Sequence, residues 1–178
     1  RVHLINPAQK NQRPGTKMRP ARFVQHETGN PRPGANADMH LRYLLNGAPD
    51  DRGRPQQLGY HLTVDEREAI LMIPLDEVAW HGGDSSGPCN MTGIASELCV
   101  QNNNAHKVQA RANAEAVAAA VMESFGIDLL DQHFNCSGKN CPQYIRQDGY
   151  WPAFTANVAA NRQRIRGGGG GGSVPPPG

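Results

Sequence analysis

A histidine, a lysine and a cysteine lie close together in one short stretch of the sequence, at His133, Lys139 and Cys141. Neutral imidazole and thiolate are good zinc ligands, and a nearby ammonium group favours the thiolate or stabilises a developing oxyanion. A helix or strand would not obviously bring these groups together, but a loop that contains Gly138 can fold back and do so. The stretch indicates a metal site only if another ligand and a catalytic carboxylate lie elsewhere.

Two further polar residues stand out because they occur in or at the end of predicted β-strands. A β-prone run that starts at Arg22 ends at His26, and functional groups often lie at such strand ends. Glu97 is the only charge in the small and apolar run 94–100, where burial of an unpaired carboxylate would be costly. A turn histidine and a salt-bridged glutamate are the ordinary alternatives.

Trp80 and His81 open a long loop in which two glycines follow directly. An aromatic residue and a histidine beside glycines suit the wall of a cleft, where backbone approaches a ligand closely. We predict that His81 contacts substrate rather than metal. For Trp80, packing beneath a glycine turn is an equally good interpretation.

Periodicity predicts the elements that must position these residues. A spacing of about 3.6 residues between apolar side chains predicts helices at 36–46, 104–125 and 151–165, with His40 on the solvated side of the first. Alternation predicts a strand at 59–65, and its neighbour at 69–73 indicates an antiparallel pair.

Length and charge bound the class of protein. The 178 residues suffice for one domain with a core, but not comfortably for two. The formal net charge of +2 leaves no nucleic-acid footprint, and no run reaches the length of a membrane-spanning helix. The first residues lack the apolar core of a signal peptide, which predicts synthesis in the cytoplasm unless an export signal has been removed. Nothing suggests more than a monomer.

Composition divides the chain into three parts. Residues 1–20 are predicted as an N-terminal arm, 21–166 as the folded domain and 167–178 as a Gly/Pro-rich linker. Because linkers connect domains, we expect a further domain at the C-terminal side.

Four cysteines, Cys89, Cys99, Cys136 and Cys141, could form two disulfides. A chain of this length does not need such crosslinks, and their spacing is not that of a small secreted scaffold. We therefore predict one metal-ligating cysteine and three free thiols.

Several motifs occur in an order that resembles a known family. They are the strand end at His26, Gly-Tyr60-His, Trp80-His-Gly-Gly, Ser-Glu97-Leu-Cys, and His133 followed by Lys139 and Cys141-Pro. Together they resemble the zinc-dependent N-acetylmuramoyl-L-alanine amidases of the amidase-2 group, which includes phage endolysins and bacterial autolysins. The group is related to T7 lysozyme and the peptidoglycan-recognition proteins. The resemblance runs from about residue 18 to about residue 154.

The resemblance implies a single α/β (α+β) domain with a central mixed β-sheet flanked by helices and a zinc site in a cleft. It implies that His26, His133 and Cys141 bind one zinc ion per chain. Three protein ligands leave a coordination position open, as catalytic zinc sites do.

The implied reaction is hydrolysis, by zinc-activated water, of the amide between N-acetylmuramic acid and L-alanine of the stem peptide. In this reaction Glu97 would be the general base, and Lys139 would help to hold the oxyanion. Tyr60 matches a position where some relatives have a catalytic tyrosine and others a tryptophan. Trp80 and His81 would line the cleft. The implied partner is bacterial peptidoglycan, reached after release from the cytoplasm, and a cell-wall-binding domain is expected beyond the linker.

One departure from the family concerns Cys136, which stands where many relatives have an aromatic residue and which could compete as a ligand. The match of Lys139 and Cys141-Pro favours Cys141.

Three other functions fit the same motifs. They are a cytoplasmic amidase that recycles muropeptides, a non-catalytic peptidoglycan-binding protein on the same fold, and a structural zinc protein. Recycling relatives tend to use aspartate as the third ligand, and non-catalytic ones typically lose a ligand. Cys141 and the linker therefore favour an enzyme that acts on the intact wall.

Overall fold

A five-stranded sheet forms the centre of the computed structural model, which describes residues 1–168. Its strands are β1 (Arg22–Glu27), β2 (Leu62–Val64), β3 (Ala69–Leu71), β4 (Gly93–Leu98) and β5 (Leu129–Gln132). The spatial order is β3-β2-β4-β1-β5; the last four strands in this order run parallel, and β3 is antiparallel to β2. The predicted central mixed sheet is confirmed.

Helices cover both faces of the sheet. They are α1 (Ala37–Leu45), α2 (Pro88–Thr92), α3 (Asn104–Phe125), α4 (His133–Ser137), α5 (Gln143–Gln147) and α6 (Trp151–Gly168). The predicted linker begins inside α6 at residues 167 and 168, and its remainder, 169–178, lies outside the described residues. No helix within residues 1–168 combines the length and apolarity needed to cross a bilayer.

Local capping explains where the two helices that pack on opposite faces begin and end. The side chain of Asn36 accepts the N–H of Met39 at the start of α1, and Asn103 does the same for His106 at the start of α3. Gly126 ends α3 in the left-handed conformation, at a φ of 64°. These boundaries match the predicted helices.

The core is divided by the sheet because neighbouring strand residues point to opposite faces. Ile94 packs in the cluster beneath the alanine-rich side of α3 and beneath α6, where Phe154 is fully buried. The next residue, Ala95, packs in the cluster beneath α1. The N-terminal arm joins the second cluster through Ile5, which is fully buried, and its backbone N–H donates to the carbonyl of Met72 at 2.9 Å.

Two predictions about individual side chains were wrong. His40, predicted as solvated, is 6% exposed, because it lies three residues after Ala37 and four before Leu44, on the buried side of α1. It also lines the cleft described below. Cys89 and Cys136, predicted as free thiols, form a disulfide; Cys99 and Cys141 are free and buried. Cys136 therefore does not compete as a metal ligand.

Candidate metal centre

Three neighbouring parallel strands deliver polar side chains to the same edge of the sheet. His26 and Glu97 are register partners near the carboxyl ends of β1 and β4, and His133 follows the last residue of β5 directly. Carboxyl ends of parallel strands lie at one edge, where ligand sites form in open α/β sheets. The strand-end position of His26 and the anomalous charge of Glu97 thus belong to one site.

A tight turn returns the chain from His133 to Cys141. The short helix α4 ends at Gly138, which has a φ of +77°, and the N–H of Phe134 then donates to the carbonyl of Cys141 at 2.8 Å. The sulfur of Cys141 accepts the backbone N–H of Glu27 at 3.4 Å, which ties the turn to the end of β1. The predicted fold-back of this stretch is therefore present, built on a helical turn.

The ligand atoms of His26, His133 and Cys141 all lie within 4.8 Å of one another. Each of the three residues is buried, and neither ring nitrogen of His133 has a hydrogen-bond partner among the described residues. Buried polar atoms without partners are costly, so the cluster would be stabilised by a bound ligand that these atoms can contact. Two nitrogens and one sulfur suit zinc, whereas magnesium and calcium prefer oxygen.

Burial keeps the two imidazoles neutral, as metal ligation requires. Burial and the charge of Lys139 lower the pKa of His133 to about 4. Burial, followed by the neighbouring histidines, lowers the pKa of His26 well below its ordinary value. Burial and then the charge of Glu97 raise the pKa of the Cys141 thiol to about 12, which favours the neutral thiol. A bound cation would instead favour the thiolate.

Glu97 lies beside the three candidate ligands without joining them. Its Oε1 is 3.9 Å from Nδ1 of His26, and its Oε2 is buried with no partner among residues 1–168. Burial raises the pKa of this carboxyl group to about 8, with Lys139 acting in the opposite direction. A carboxyl group with a pKa near neutrality can both accept and release a proton, as a general acid–base catalyst must.

A cavity of about 310 Å³ opens over the three candidate ligands. Tyr60 and the exposed Lys139 line it together with His40. The Tyr60 hydroxyl donates to the backbone carbonyl of His40 at 3.4 Å, and burial raises the pKa of Tyr60 well above its ordinary value. The tyrosine is therefore a neutral hydroxyl group on the cleft wall.

A second, more open groove of about 670 Å³ adjoins the cleft, because both are lined by Leu58, His81, His133 and Lys139. Trp80 lines only the second groove, and its Nε1 is buried with no partner in the described part of the chain. His81 is 5% exposed and lies against His26, with its Nδ1 3.0 Å from Nε2 of that candidate ligand.

Sequence reasoning missed two features of this region. His40 lines the cleft, and its three-residue spacing from Tyr43, which also lines it, is the helical signal that would have found it. The Cys89–Cys136 disulfide links α2 to α4, the helix that begins with His133, and joins residues 47 positions apart. No local sequence pattern predicts such a pairing.

Comparison with known proteins agrees with this geometry. Residues 16–144 match the family model described as N-acetylmuramoyl-L-alanine amidase. The chain is 35% identical over 154 residues to N-acetylmuramoyl-L-alanine amidase XlyA of Bacillus subtilis, which covers 85% of this chain and 48% of XlyA. It is 30% identical over 158 residues to the amidase CwlH of the same organism, with coverage of 87% and 59%.

Solved structures extend the similarity to the fold. PlyL superposes with a TM-score of 0.79 at 28% identity, covering 89% of this chain and 95% of PlyL. The catalytic domain of XlyA gives a TM-score of 0.77 at 31% identity, with coverage of 89% and 99%.

The fold and the match over most of its length define the class: this chain belongs to the amidase-2 family of N-acetylmuramoyl-L-alanine amidases. It spans about half the length of the curated relatives it matches.

Proposed function

We propose that this chain hydrolyses the amide bond between N-acetylmuramic acid and the L-alanine of the peptidoglycan stem peptide. The observation that carries the proposal is the buried cluster of His26, His133 and Cys141 within 4.8 Å, with a carboxyl group beside it. Relatives named N-acetylmuramoyl-L-alanine amidases support the same bond as the target.

We further propose that the cluster holds one zinc ion per chain. The partnerless nitrogens of His133 and the nitrogen–sulfur donor set support zinc. When bound, zinc would supply a Lewis acid that polarises the scissile carbonyl and makes water acidic enough to ionise near neutral pH.

The remaining steps belong to side chains around the cluster. Glu97 takes a proton from the attacking water and passes it to the leaving amine of L-alanine, so that no charged amide nitrogen has to depart. Lys139, at the mouth of the cleft, stabilises negative charge on the former carbonyl oxygen. Tyr60 lines the same cleft and would donate its hydroxyl proton to the substrate in place of the carbonyl of His40.

The two adjoining grooves support a substrate that extends on both sides of the cluster. Peptidoglycan has this form at the scissile bond, with a glycan strand on one side and a peptide on the other. We propose that Trp80 contacts the substrate in the open groove, where its indole N–H is without a partner among residues 1–168.

A pair of variants separates metal binding from catalysis. Glu97→Gln is expected to retain one zinc ion per chain and to lose activity by about 10²- to 10⁴-fold, because only the proton-transfer group is removed. Cys141→Ser is expected to lose zinc and activity together. Zinc content by elemental analysis is measured beside amine release from purified peptidoglycan.

Two results would contradict the proposal. Wild-type activity in Glu97→Gln would remove the carboxylate from the mechanism. Binding of peptidoglycan by a zinc-loaded wild type without any release of amine would indicate a receptor instead of an enzyme.

A further inference from the structure

We infer that His81 is a positioning residue: it fixes the ring of His26 in the tautomer whose Nδ1 lone pair faces the metal site. The inference rests on the metal site proposed above, but it follows from two hydrogen bonds that are independent of any bound ion.

The first hydrogen bond assigns the proton on His81. Its Nε2 lies 3.3 Å from the backbone carbonyl oxygen of Gly93. A carbonyl oxygen can only accept, so Nε2 of His81 must carry the hydrogen. In a neutral imidazole the other nitrogen, Nδ1, is then an acceptor. The ring is 5% exposed and has no ion-pair partner among residues 1–168, and such burial favours the neutral imidazole.

The second hydrogen bond transfers this assignment to His26. Nδ1 of His81 lies 3.0 Å from Nε2 of His26. Because Nδ1 of His81 is an acceptor, the shared hydrogen belongs to Nε2 of His26. The opposite tautomer of His26 would set two lone pairs against each other at this distance and leave both nitrogens unsatisfied in a buried site.

The fixed tautomer leaves the correct nitrogen of His26 free. Nδ1 of His26 lies 3.9 Å from Sγ of Cys141 and 3.9 Å from Oε1 of Glu97, so its lone pair faces the cluster. Partners of this kind orient metal-ligating histidines and raise their basicity, and their loss typically weakens metal binding by 10- to 100-fold.

The backbone around His81 is held as firmly as its side chain. The side-chain oxygen of Asn90 accepts the N–H groups of both His81 and Gly82, at 2.8 and 2.7 Å. A Cβ at Gly82 would approach the Cβ of Cys89 to 2.7 Å, so a side chain does not fit there. The Trp-His-Gly-Gly stretch therefore places the acceptor Nδ1 of His81 against Nε2 of His26.

Two variants of similar size discriminate between the two hydrogen bonds of His81. Asparagine places its side-chain oxygen near the position of Nδ1, where it can accept the N–H of His26, but it cannot reach the backbone carbonyl of Gly93. Glutamine reaches the position of Nε2 and can donate to Gly93, but it offers His26 no acceptor. Each variant keeps one of the two bonds, so loss of packing or stability affects both.

The test measures zinc affinity by competition with a chromogenic chelator, and melting temperature, for wild type, His81→Asn and His81→Gln. We expect His81→Asn to bind zinc nearly as tightly as wild type, and His81→Gln to bind it 10- to 100-fold more weakly. In zinc-free wild type, ¹⁵N NMR of the histidine rings is expected to show the His26 hydrogen on Nε2.

The outcomes separate this inference from the proposed function. A wild type that binds no zinc would overturn the proposed function. Normal zinc binding by wild type, with equal affinities for both variants, would overturn the role of His81 alone. If His81→Gln does not fold, the NMR measurement on wild type decides, because a hydrogen on Nδ1 of His26 would contradict the inference.

Discussion

Among residues 1–168, Lys139 is the one charged side chain that reaches the candidate site from the exposed surface. It lies two residues before Cys141 in the turn after α4, so its backbone is tied to the metal cluster. Its ammonium group opposes the rise that burial causes in the pKa of Glu97. It can also stabilise the oxyanion that forms on the substrate. We expect its role to be electrostatic.

Replacement of Lys139 by alanine is expected to reduce amide hydrolysis by about 10²- to 10³-fold, the usual effect of removing one group that stabilises the oxyanion. Zinc content should not change, since the lysine is not a ligand. Lys10→Ala removes an exposed lysine of the N-terminal arm and is the matched control. Equal activities of the two variants would exclude Lys139 from the mechanism.

At the residue scale, the sequence identified those site residues whose side chains are unusual for the segment in which they occur. Glu97 was detectable as a lone charge in an apolar run, and His26 as a histidine at a strand end. His40 was misjudged, although its spacing of three residues from Ala37 and four from Leu44 places it on the buried side of α1. His81 was predicted to contact substrate, and its contact with His26 depends on the tertiary fold.

At the scale of elements, the Cys89–Cys136 disulfide connects α2 to the turn that carries His133. Crosslinking residues 47 positions apart restricts the unfolded chain and stabilises the fold by about 4 kcal/mol in the chain-entropy model. Reduction is therefore expected to lower the midpoint of denaturant unfolding.

This expectation is tested by urea unfolding of wild type with and without dithiothreitol, beside the double variant Cys89→Ala/Cys136→Ala. Wild type with reductant should match the double variant, and the double variant should not respond to reductant. A midpoint of wild type that is unaffected by complete reduction, as verified by thiol counting, would show that the crosslink does not stabilise the fold.

A second link between elements joins α3 to α6 through charge. Glu123 on α3 accepts hydrogen bonds from Arg166 and Arg162 on α6, and these lower the pKa of its carboxyl group from 4.5 to about 2. A carboxyl group with a depressed pKa in the folded state stabilises the fold above its unfolded pKa. This contribution is lost as the pH falls from about 4.5 towards about 2.

We expect Glu123→Gln to melt below wild type at about pH 6, and the difference to shrink as the pH is lowered to about 2.5. Asp128→Asn is the matched control, because Asp128 also pairs with Arg162 but its side chain is 92% exposed. Melting temperatures by circular dichroism across this pH range provide the measurement. A constant difference between Glu123→Gln and wild type would contradict the role assigned to the ion pairs.

Elements with strong periodicity and caps were predictable, and two of the short helices were not. The ends of α3 follow from Asn103 and Gly126, both visible in the sequence. The helices α2 and α4 have five residues each, too few to show a helical period, and were expected as loop.

At the scale of the whole molecule, periodicity predicts strands but not their neighbours. β4 lies between β2 and β1, and β5 lies outside β1, so all but one of the neighbouring pairs in the sheet join strands that are not consecutive. This order brings His26, Glu97 and His133 to one edge. Only the order of motifs shared with the amidase-2 family anticipated it.

Amide hydrolysis at the junction of glycan and peptide is the central claim, and product analysis tests it most directly. Purified peptidoglycan is digested with the zinc-loaded chain, and the soluble products are examined by mass spectrometry with labelling of free amines and reducing ends. We predict new free amino groups on L-alanine and no new reducing sugar ends. A chelator should abolish the release of these amino groups. New reducing ends without new L-alanine amino groups would contradict the claim.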